Sequence, residues 1–297
     1  METDIITGSW KTDCGHTYLA FGKGLTYSLR SLPDGSFLRV CDGAGRLLGE
    51  YPTRGRHSCH ILLMRDKVSV SDYSSGSLTV FHMDSDGMPS GDPDVHCFGE
   101  ESRIHSSWLS PSDGLLIVVD HGRDCIYRFD PDDPCFPHCG YENFCLPADS
   151  APRHCAFNAG GDRLYVSTEY SDEVFVMEYP SMRLLQRCEV NPAHPRGGAH
   201  VAVNPDGSSV YVSSRFSNDG IAVFRTGEGG LLEQVGYTVT GSNPRHFSFS
   251  PDGTMLAVAC KDSDRVEIYR IDRCTGLLPQ MVDSVPVEKP VFVTFPL

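Results

Sequence analysis

Short apolar runs separated by polar turns extend along most of this chain, and no long segment shows the apolar period of an amphipathic helix. From residue 57 onward one order recurs: a strand-like run, a tight turn, a strongly apolar run, a polar turn and an alternating run. The second run, for example LLIVV or SVYVS, lacks a polar face, as does a strand packed on both sides. The third run alternates more, so we expect it nearer the rim. The pattern predicts an all-β fold.

Histidines mark this repeat, because one precedes each unit's apolar runs at a similar spacing. Five residues define the series, 45, 49, 46 and 46 positions apart: His60, His105, His154, His200 and His246. Turns of Pro-Asp-Gly type follow four of them, and we expect a positive φ at the turn glycines, Gly114, Gly161, Gly207 and Gly253. Four-stranded units of about 40 to 50 residues, repeated in one chain, are the blades of a β-propeller.

The two chain ends determine the number of blades that we predict. Phe292 lies 46 residues after His246, in PVFVTFPL, where the chain stops after one strand. At the start, IITGS looks like a second strand and HTYLAF like a third, so the two ends would complete one shared blade without an open sheet edge. We therefore predict a single domain, a seven-bladed β-propeller with one blade closed by strands from both chain ends. The approximate blades are 25–56 (shortened), 57–101, 102–150, 151–196, 197–241, 242–287, and 288–297 with 1–24.

Composition and charge exclude several classes of partner. Asp and Glu number 39 against 25 Lys and Arg, a formal net charge of −14, so we expect no nucleic-acid partner. A few converging arginines could still bind an anionic small molecule. The N-terminus shows no secretory signal, and no apolar stretch approaches the roughly 18 residues that predict a membrane span. The 12 cysteines are then expected as reduced, mostly buried thiols of a cytoplasmic protein.

The sequence predicts neither a metal site nor a cofactor. Cys135, His138, Cys139 and Cys145 cluster in DPCFPHCGYENFC, but this connecting segment lacks the paired Cys-x-x-Cys spacing of zinc sites. No Gly-rich phosphate loop precedes a helix, and no nucleophile elbow with a central Ser is present. Any catalysis is therefore expected to rely on side chains alone.

The repeat resembles the lactonase family of seven-bladed propellers, in stretches that carry both its turns and its charged residues. These stretches are APRHCAFNAGGDRLYVSTEYSDEVFVMEY, GAHVAVNPDGSSVYVSSRFSNDGIAVF and GSNPRHFSFSPDGTMLAVACKDSDRVEIYRID. The specific part is Pro-Arg-His, then Glu after the second strand, then Arg at the same place one unit later. The resemblance covers residues 55–297 well and the first 55 residues loosely.

This resemblance implies hydrolysis of an anionic sugar lactone in a cleft at one end of the central channel. The leading candidate is 6-phosphogluconolactone, in the pentose phosphate pathway. Matched motif by motif, the family's site residues correspond to His105 in ESRIHSSW, Arg153 in APRH, Glu169 in VSTEYS and Arg215 in VSSRFS. Glu169 and His105 would act as acid–base groups, and Arg153 and Arg215 would bind substrate. The family also includes a carboxymuconate lactonising enzyme, so a cycloisomerase with the same four residues is an alternative.

The same residues make chemical sense without the family. Glu169 and Arg215 follow the second strands of adjacent units, 46 residues apart, and equivalent points of radially arranged blades converge. A carboxylate and guanidiniums withdrawn from water must form ion pairs or take part in the protein's activity, because an unpaired buried charge costs several kcal/mol. Arginines suit an anionic substrate and a developing oxyanion, while Glu169 or His105 suits proton transfer from water. A structural ring of ion pairs is the alternative interpretation of Glu169.

Repetition favours a packing role for most of the histidines, because positions that recur in every unit usually serve the fold. The residues concerned are His60, His154, His200 and His246. His105 is singled out by the resemblance alone. Arg245 and His246 repeat the Arg153–His154 pair two units later, so His154, Arg245 and His246 are also candidates for substrate binding. A propeller that binds a partner protein without catalysis is the alternative from another functional class.

Overall fold

A computed structural model of the chain describes residues 5–9, 16–193 and 196–296. These residues form two compact units, one within residues 10–147 and one that combines residues up to 9 with those from 148 onward. Across these ranges the regular elements are 26 β-strands, with two short 3-10 turns at Glu228–Gly230 and Lys261–Ser263. The all-β fold class that the apolar pattern predicts is therefore confirmed.

The unit within residues 10–147 contains three four-stranded antiparallel sheets in which consecutive strands are neighbours, the arrangement of a propeller blade. Blade 1 consists of β2 (His16–Gly22), β3 (Leu25–Leu32), β4 (Gly35–Cys41) and β5 (Leu47–Pro52). Blade 2 consists of β6 (Ser58–Leu63), β7 (Lys67–Asp72), β8 (Ser77–His82) and β9 (Asp94–Cys97). Blade 3 consists of β10 (Ile104–Leu109), β11 (Leu116–Asp120), β12 (Cys125–Phe129) and β13 (Glu142–Cys145).

The other unit contains three more blades and one smaller sheet. Blade 4 consists of β14 (Pro152–Phe157), β15 (Arg163–Thr168), β16 (Glu173–Glu178) and β17 (Arg183–Glu189). Blade 5 consists of β18 (Val201–Val203), β19 (Ser209–Ser214), β20 (Gly220–Thr226) and β21 (Leu232–Val239). Blade 6 consists of β22 (Pro244–Phe249), β23 (Met255–Cys260), β24 (Arg265–Arg270) and β25 (Gln280–Pro286). The smaller sheet pairs β1 (Ile6–Ser9) with β26 (Pro290–Thr294).

Apolar side chains pack between neighbouring blades within each unit. The second strands of blades 2 to 6 are buried almost from end to end, as predicted, because both of their faces meet another sheet. The third strands lie next to the outermost strand, nearer the rim than the second strands, as predicted, but they are nearly as buried as the second strands. A polar residue buried in one of them is hydrogen-bonded: Glu267 accepts the amide N–H of Gly241 and the hydroxyl of Tyr269. The exposed rim is formed by the fourth strands.

The start of the chain differs from the prediction. HTYLAF does not belong to a blade shared by the chain ends, because β2 pairs with β3 in antiparallel register, with Ala20 opposite Tyr27. A two-residue turn with positive φ at Lys23 and Gly24 closes this hairpin. Blade 1 is therefore a complete four-stranded sheet and not a shortened one. Among the residues that the structure describes there are six four-stranded blades and a two-stranded sheet of β1 and β26, where seven blades were predicted.

The turns between first and second strands have the predicted backbone. Positive φ values of 74°, 68°, 75° and 65° are found at Gly114, Gly161, Gly207 and Gly253. Each such turn lies at the opposite end of the second strand from the candidate site residues.

The first strands of blades 2, 3, 4 and 6 contain a β-bulge near their start. In β14, Pro152 is opposite Thr168 and His154 is opposite Ser167, which leaves the residue between them as the extra one. The extra residues are Cys59 in β6, His105 in β10, Arg153 in β14 and Arg245 in β22. A bulge redirects the side chain of its extra residue, and bulges are enriched beside active sites.

These bulges correct the predicted alignment of the histidines. The residue that follows the bulge is a histidine in β6, β14 and β22, but it is Ser106 in β10. His105 therefore has the register position of Arg153 and not that of His154. When Ser106 replaces His105 in the series, the spacings of 45 and 49 residues become 46 and 48, so this one-residue shift explains the first irregularity and part of the second.

Candidate active site

The residue that follows each second strand has the same backbone hydrogen bond in blades 2 to 6. Its amide N–H donates to the carbonyl oxygen two residues before the bulge position, as from Glu169 to Ala151 (2.8 Å) and from Arg215 to Gly197 (3.1 Å). We call these the strand-end residues: Tyr73, His121, Glu169, Arg215 and Lys261. The shared hydrogen bond holds each of them at the same place in its blade. They therefore differ only in the chemistry of their side chains.

Glu169 lies between two arginines at the centre of the candidate site. Its Oε2 is 2.9 Å from Nη2 of Arg215 and 3.3 Å from Nε of Arg153. The proximity of these residues, which belong to blades 4 and 5, is thus confirmed. We call the three side chains the Arg–Glu cluster.

Both arginines of the cluster are buried and are held by main-chain carbonyl groups. Arg153 donates from Nη1 to the carbonyl oxygen of Ala199 (2.9 Å), and Arg215 donates from Nε to that of Gly197 (3.0 Å). The two side chains are only 4% and 2% exposed, whereas that of Glu169 is 22% exposed. The carboxylate is therefore the member of the cluster that a solute reaches most readily.

Two consecutive glycines allow the main chain to approach Arg215 this closely. Gly197 has a φ of 153°, and a Cβ atom there would lie 2.0 Å from the carbonyl oxygen of Arg215. A Cβ atom on Gly198 would lie 2.1 Å from the carbonyl oxygen of Thr168. Neither position has space for a side chain, so the Gly-Gly pair is a requirement of the Arg–Glu cluster.

Histidines at equivalent positions of blades 4, 5 and 6 form a series of ring contacts in the same unit. His154, His200, His246 and Phe292 have successive ring-centroid distances of 5.0, 4.2 and 4.4 Å, and the three histidines are buried. Nδ1 of His154 lies 2.8 Å from Nδ1 of His200, and Nδ1 of His246 accepts the amide N–H of Val293 (3.4 Å). We call this series the ring stack. It gives these histidines the packing role that their repetition predicts, while substrate binding by His154 or His246 stays a prediction.

Burial, and to a smaller extent the positive charge of Arg153, lowers the pKa of His246 to about 3. The imidazole is consequently neutral at physiological pH, which agrees with its acceptance of an N–H group. The Arg–Glu cluster and the ring stack therefore influence one another electrostatically, although the first consists of ion pairs and the second of ring contacts.

His105 lies in the other unit, beside two aromatic strand-end residues. The ring centroids of Tyr73 and His105 are 5.7 Å apart, and those of His105 and His121 are 6.0 Å apart. The hydroxyl of Tyr73 lies 3.5 Å from Nδ1 of His121. Sequence reasoning missed Tyr73 and His121, although counting back 48 residues from Glu169, and 48 again, leads to both.

Blade 6 carries a second pair at the bulge and strand-end positions. Arg245, predicted as a substrate ligand, is the half-buried bulge residue of β22. Lys261 is the strand-end residue after β23, and its amide N–H donates to the carbonyl oxygen of Asn243 (3.0 Å). Lys261 is not among the predicted site residues.

Other kinds of site have less support. In residues 5–9, 16–193 and 196–296, no group of three or more His, Cys, Asp or Glu side chains is arranged to bind a metal ion. No helix in those ranges has the length and apolar character needed to cross a bilayer. A polar cavity at the turn end of blades 5 and 6 is lined by Asn204, Asp206, Asp252 and Asp272, and it contains none of the predicted site residues.

Comparison with known proteins identifies the family. Residues 17–295 match the family described as lactonase, 7-bladed beta-propeller. A 6-phosphogluconolactonase of Bacillus subtilis (strain 168) is 29% identical over 262 residues, which are 81% of this chain and 74% of that protein. A solved structure from Bacteroides uniformis, described as a candidate 6-phosphogluconolactonase, is 31% identical with a TM-score of 0.87 and covers 95% of this chain and 88% of its own. One from Bacteroides fragilis with the same description is 26% identical with a TM-score of 0.88, covering 98% and 97%.

Proposed function

This chain belongs to the lactonase family of seven-bladed β-propellers, and from that premise we propose that it hydrolyses an anionic sugar lactone without a cofactor. The first candidate substrate is 6-phosphogluconolactone, the substrate in the name of the Bacillus subtilis relative. The observation that carries the proposal is a partly exposed carboxylate, Glu169, held between two buried guanidiniums. Such a group can exchange a proton with a bound water while its position stays fixed.

Glu169 is the proposed general base. Its Oε2 makes both ion pairs, which fix the position of the carboxylate. The water oxygen bonds to the lactone carbonyl carbon as its proton passes to the carboxylate of Glu169, and the carbonyl oxygen becomes an oxyanion. The bond between that carbon and the ring oxygen then breaks, and the ring oxygen takes the proton from Glu169. The product is the open hydroxy acid, and the carboxylate is regenerated.

Arg153 and Arg215 have two proposed roles in this step. Their ion pairs orient the carboxylate, and their positive charges stabilise the oxyanion that forms on the substrate. Because both guanidiniums are already fixed by main-chain carbonyl oxygens, little reorganisation is needed at the moment of reaction. Participation of His105 as a second acid–base group stays a prediction from the family resemblance.

The test compares two glutamates of blade 4. We expect wild-type protein to open 6-phosphogluconolactone faster than buffer in a pH-stat, and Glu169→Gln to lower kcat by about 10²- to 10⁴-fold, because an amide cannot accept the proton. The matched control is Glu178→Gln, since Glu178 is paired with Arg183 outside the Arg–Glu cluster (3.0 Å). Thermal unfolding of both variants checks that they fold. A wild-type protein that opens no anionic lactone would leave the cycloisomerase and the protein-binding platform as the surviving alternatives.

We also propose that β1 and β26 together form the seventh blade. Supporting observations are their antiparallel pairing, with Gly8 opposite Phe292, and the packing of Val293 among core residues of blade 6. Phe292 also extends the ring stack by one more residue at a spacing of 46. Deletion of residues 1–9 should then lower the unfolding temperature, because β26 loses its partner strand. An unchanged unfolding temperature would contradict this assignment.

The cytoplasm is the proposed compartment. The eleven cysteines in the described ranges are free thiols, the state expected of a protein in reducing surroundings. Mass spectrometry after alkylation of protein from intact cells should therefore find these thiols modified.

A further inference from the structure

Lys261 occupies in blade 6 the place that Glu169 occupies in blade 4. Both are strand-end residues, with amide N–H groups that donate to the carbonyl oxygens of Asn243 and Ala151. Arg245 is the bulge residue beside Lys261, as Arg153 is beside Glu169. Blade 6 therefore repeats the arrangement of the proposed catalytic pair, with a cation in place of the carboxylate.

Positive charge accumulates around Lys261 in a chain whose net charge is −14. Burial lowers the pKa of Lys261, and the positive charges of Arg245, Lys289 and Arg215 lower it further. Asp262 opposes this effect, but its Oδ1 is 3.9 Å from Nζ of Lys261, and its Oδ2 accepts a hydrogen bond from Asn243 (2.8 Å). Cations that repel one another in a partly buried place favour the binding of an anion.

The cations of the two blades differ in how far a solute can reach them. Arg153 and Arg215 are almost fully buried, and each is engaged with Glu169 and main-chain carbonyl oxygens. The side chain of Lys261 is 25% exposed, similar to the 22% of Glu169, and Arg245 is half-buried. An anionic group of the substrate is therefore met first by Lys261 and Arg245 and not by the arginines that hold the base.

We propose that Lys261 and Arg245 form a subsite for a phosphate monoester, and that this subsite selects phosphorylated sugar lactones over neutral ones. The inference rests on the proposed lactonase function for its catalytic consequence. An ammonium group is a compact point charge and a guanidinium offers a planar pair of donors, so together they suit a phosphate dianion. A carboxylate, with one negative charge, is satisfied by one guanidinium and would leave the second cation unmatched.

The experiment compares two lactones that differ only in the phosphate, 6-phosphoglucono-δ-lactone and glucono-δ-lactone. We expect Lys261→Met to lower kcat/KM for the phosphorylated lactone by about 50-fold, which is roughly the loss of one charge-assisted hydrogen bond. Its kcat/KM for glucono-δ-lactone should stay within about twofold of wild type. Lys261→Arg should retain most of the activity on the phosphorylated lactone.

The matched control is Lys289→Met, because Lys289 also contributes positive charge near Lys261 but pairs with Asp264 (3.5 Å). A comparable loss in this control would mean that the overall field and not a local contact selects the phosphate, which would overturn the subsite. Equal losses on both lactones in Lys261→Met, or no loss on either, would overturn it as well.

Binding of sugars that cannot be hydrolysed separates this inference from the lactonase proposal. Titration calorimetry with glucose 6-phosphate and with glucose should show binding of the phosphate ester alone, weakened in Lys261→Met. If wild-type protein opens no lactone but binds glucose 6-phosphate through Lys261, the proposed function fails and the subsite stands. If it opens the lactone but glucose 6-phosphate binding does not depend on Lys261, the subsite fails and the proposed function stands.

Discussion

Arg153 and His154 are neighbours on β14, yet they belong to two regions that work differently. Arg153 is the extra residue of the bulge and joins Glu169 and Arg215 in the Arg–Glu cluster. His154 resumes the regular register and packs its ring against His200, the next histidine of the ring stack. One residue along the strand thus separates a position directed at chemistry from a position directed at packing.

The difference between the two regions follows from what surrounds each side chain. In the ring stack each ring contacts the ring that lies 46 residues further along the chain, so the size and shape of these side chains are constrained by packing. At the bulge and strand-end positions, equivalent residues include arginine, glutamate and lysine in blades 4 to 6. Their shared geometry is supplied by backbone hydrogen bonds and not by side-chain packing. These residues can therefore differ from blade to blade while the blade still folds. This freedom allows one carboxylate and several cations to occupy equivalent places in adjacent blades.

The largest effect is expected at Arg215, where both function and stability depend on one side chain. Arg215→Met removes one partner of Glu169 and the donor to the carbonyl oxygen of Gly197, so we expect kcat/KM to fall by about 10³-fold. Breaking this buried pair should cost about 3–5 kcal/mol of unfolding free energy, measured by urea denaturation.

The control for Arg215 is an arginine of the same blade. Arg225 is 54% exposed and lies 3.9 Å from Glu233, so Arg225→Met should cost less than about 0.5 kcal/mol and leave kcat/KM unchanged. Equal effects of the two substitutions would remove the distinction between the Arg–Glu cluster and an ordinary surface ion pair.

A smaller effect separates two histidines that the sequence alone treats as equivalent. His105 is the extra residue of a bulge, whereas His60 directly follows one. The same substitution should therefore act differently on each. His105→Leu should lower kcat by about 10²-fold with little change in unfolding free energy. His60→Leu should leave kcat unchanged but cost about 1–3 kcal/mol, because the amide N–H of Ser107 loses its acceptor (3.4 Å). The opposite pattern would assign the catalytic role to the residues that follow the bulges.

The smallest effect concerns pH and the ring stack. The folded pKa of His246, about 3, is lower than the value of about 6.5 for an unfolded histidine, so its contribution to stability is full above pH 6.5 and is lost as the pH falls toward 3. His246→Phe removes this dependence but leaves the amide N–H of Val293 without its acceptor. Urea denaturation should show the variant about 1–2 kcal/mol less stable than wild type at pH 8. As the pH falls to 4 the wild type loses more than this difference, so the order of stability should reverse. Parallel stability curves would contradict a neutral, buried His246.

Much of the fold could be predicted because it depends on local sequence. The apolar second strands, and the glycines of the turns that precede them, depend on only a few neighbouring residues, and both predictions are confirmed. The assignment of HTYLAF was wrong because a strand alone does not reveal its partner. The turn at Lys23–Gly24, which joins it to β3, was the local signal that was overlooked.

The sequence by itself determined an all-β repeat, its spacing, and the set of charged residues that recur at equivalent places. Only the tertiary structure showed that His105 shares the bulge position of Arg153, since a bulge is a mismatch between two paired strands and leaves no mark on either strand alone. It also showed that the main-chain carbonyl oxygens of Gly197 and Ala199 hold the two arginines. The contact between Arg153 and Ala199, 46 residues apart, depends on how two neighbouring blades pack. The contact between Arg215 and Gly197, 18 residues apart, forms only when the strands of blade 5 are assembled.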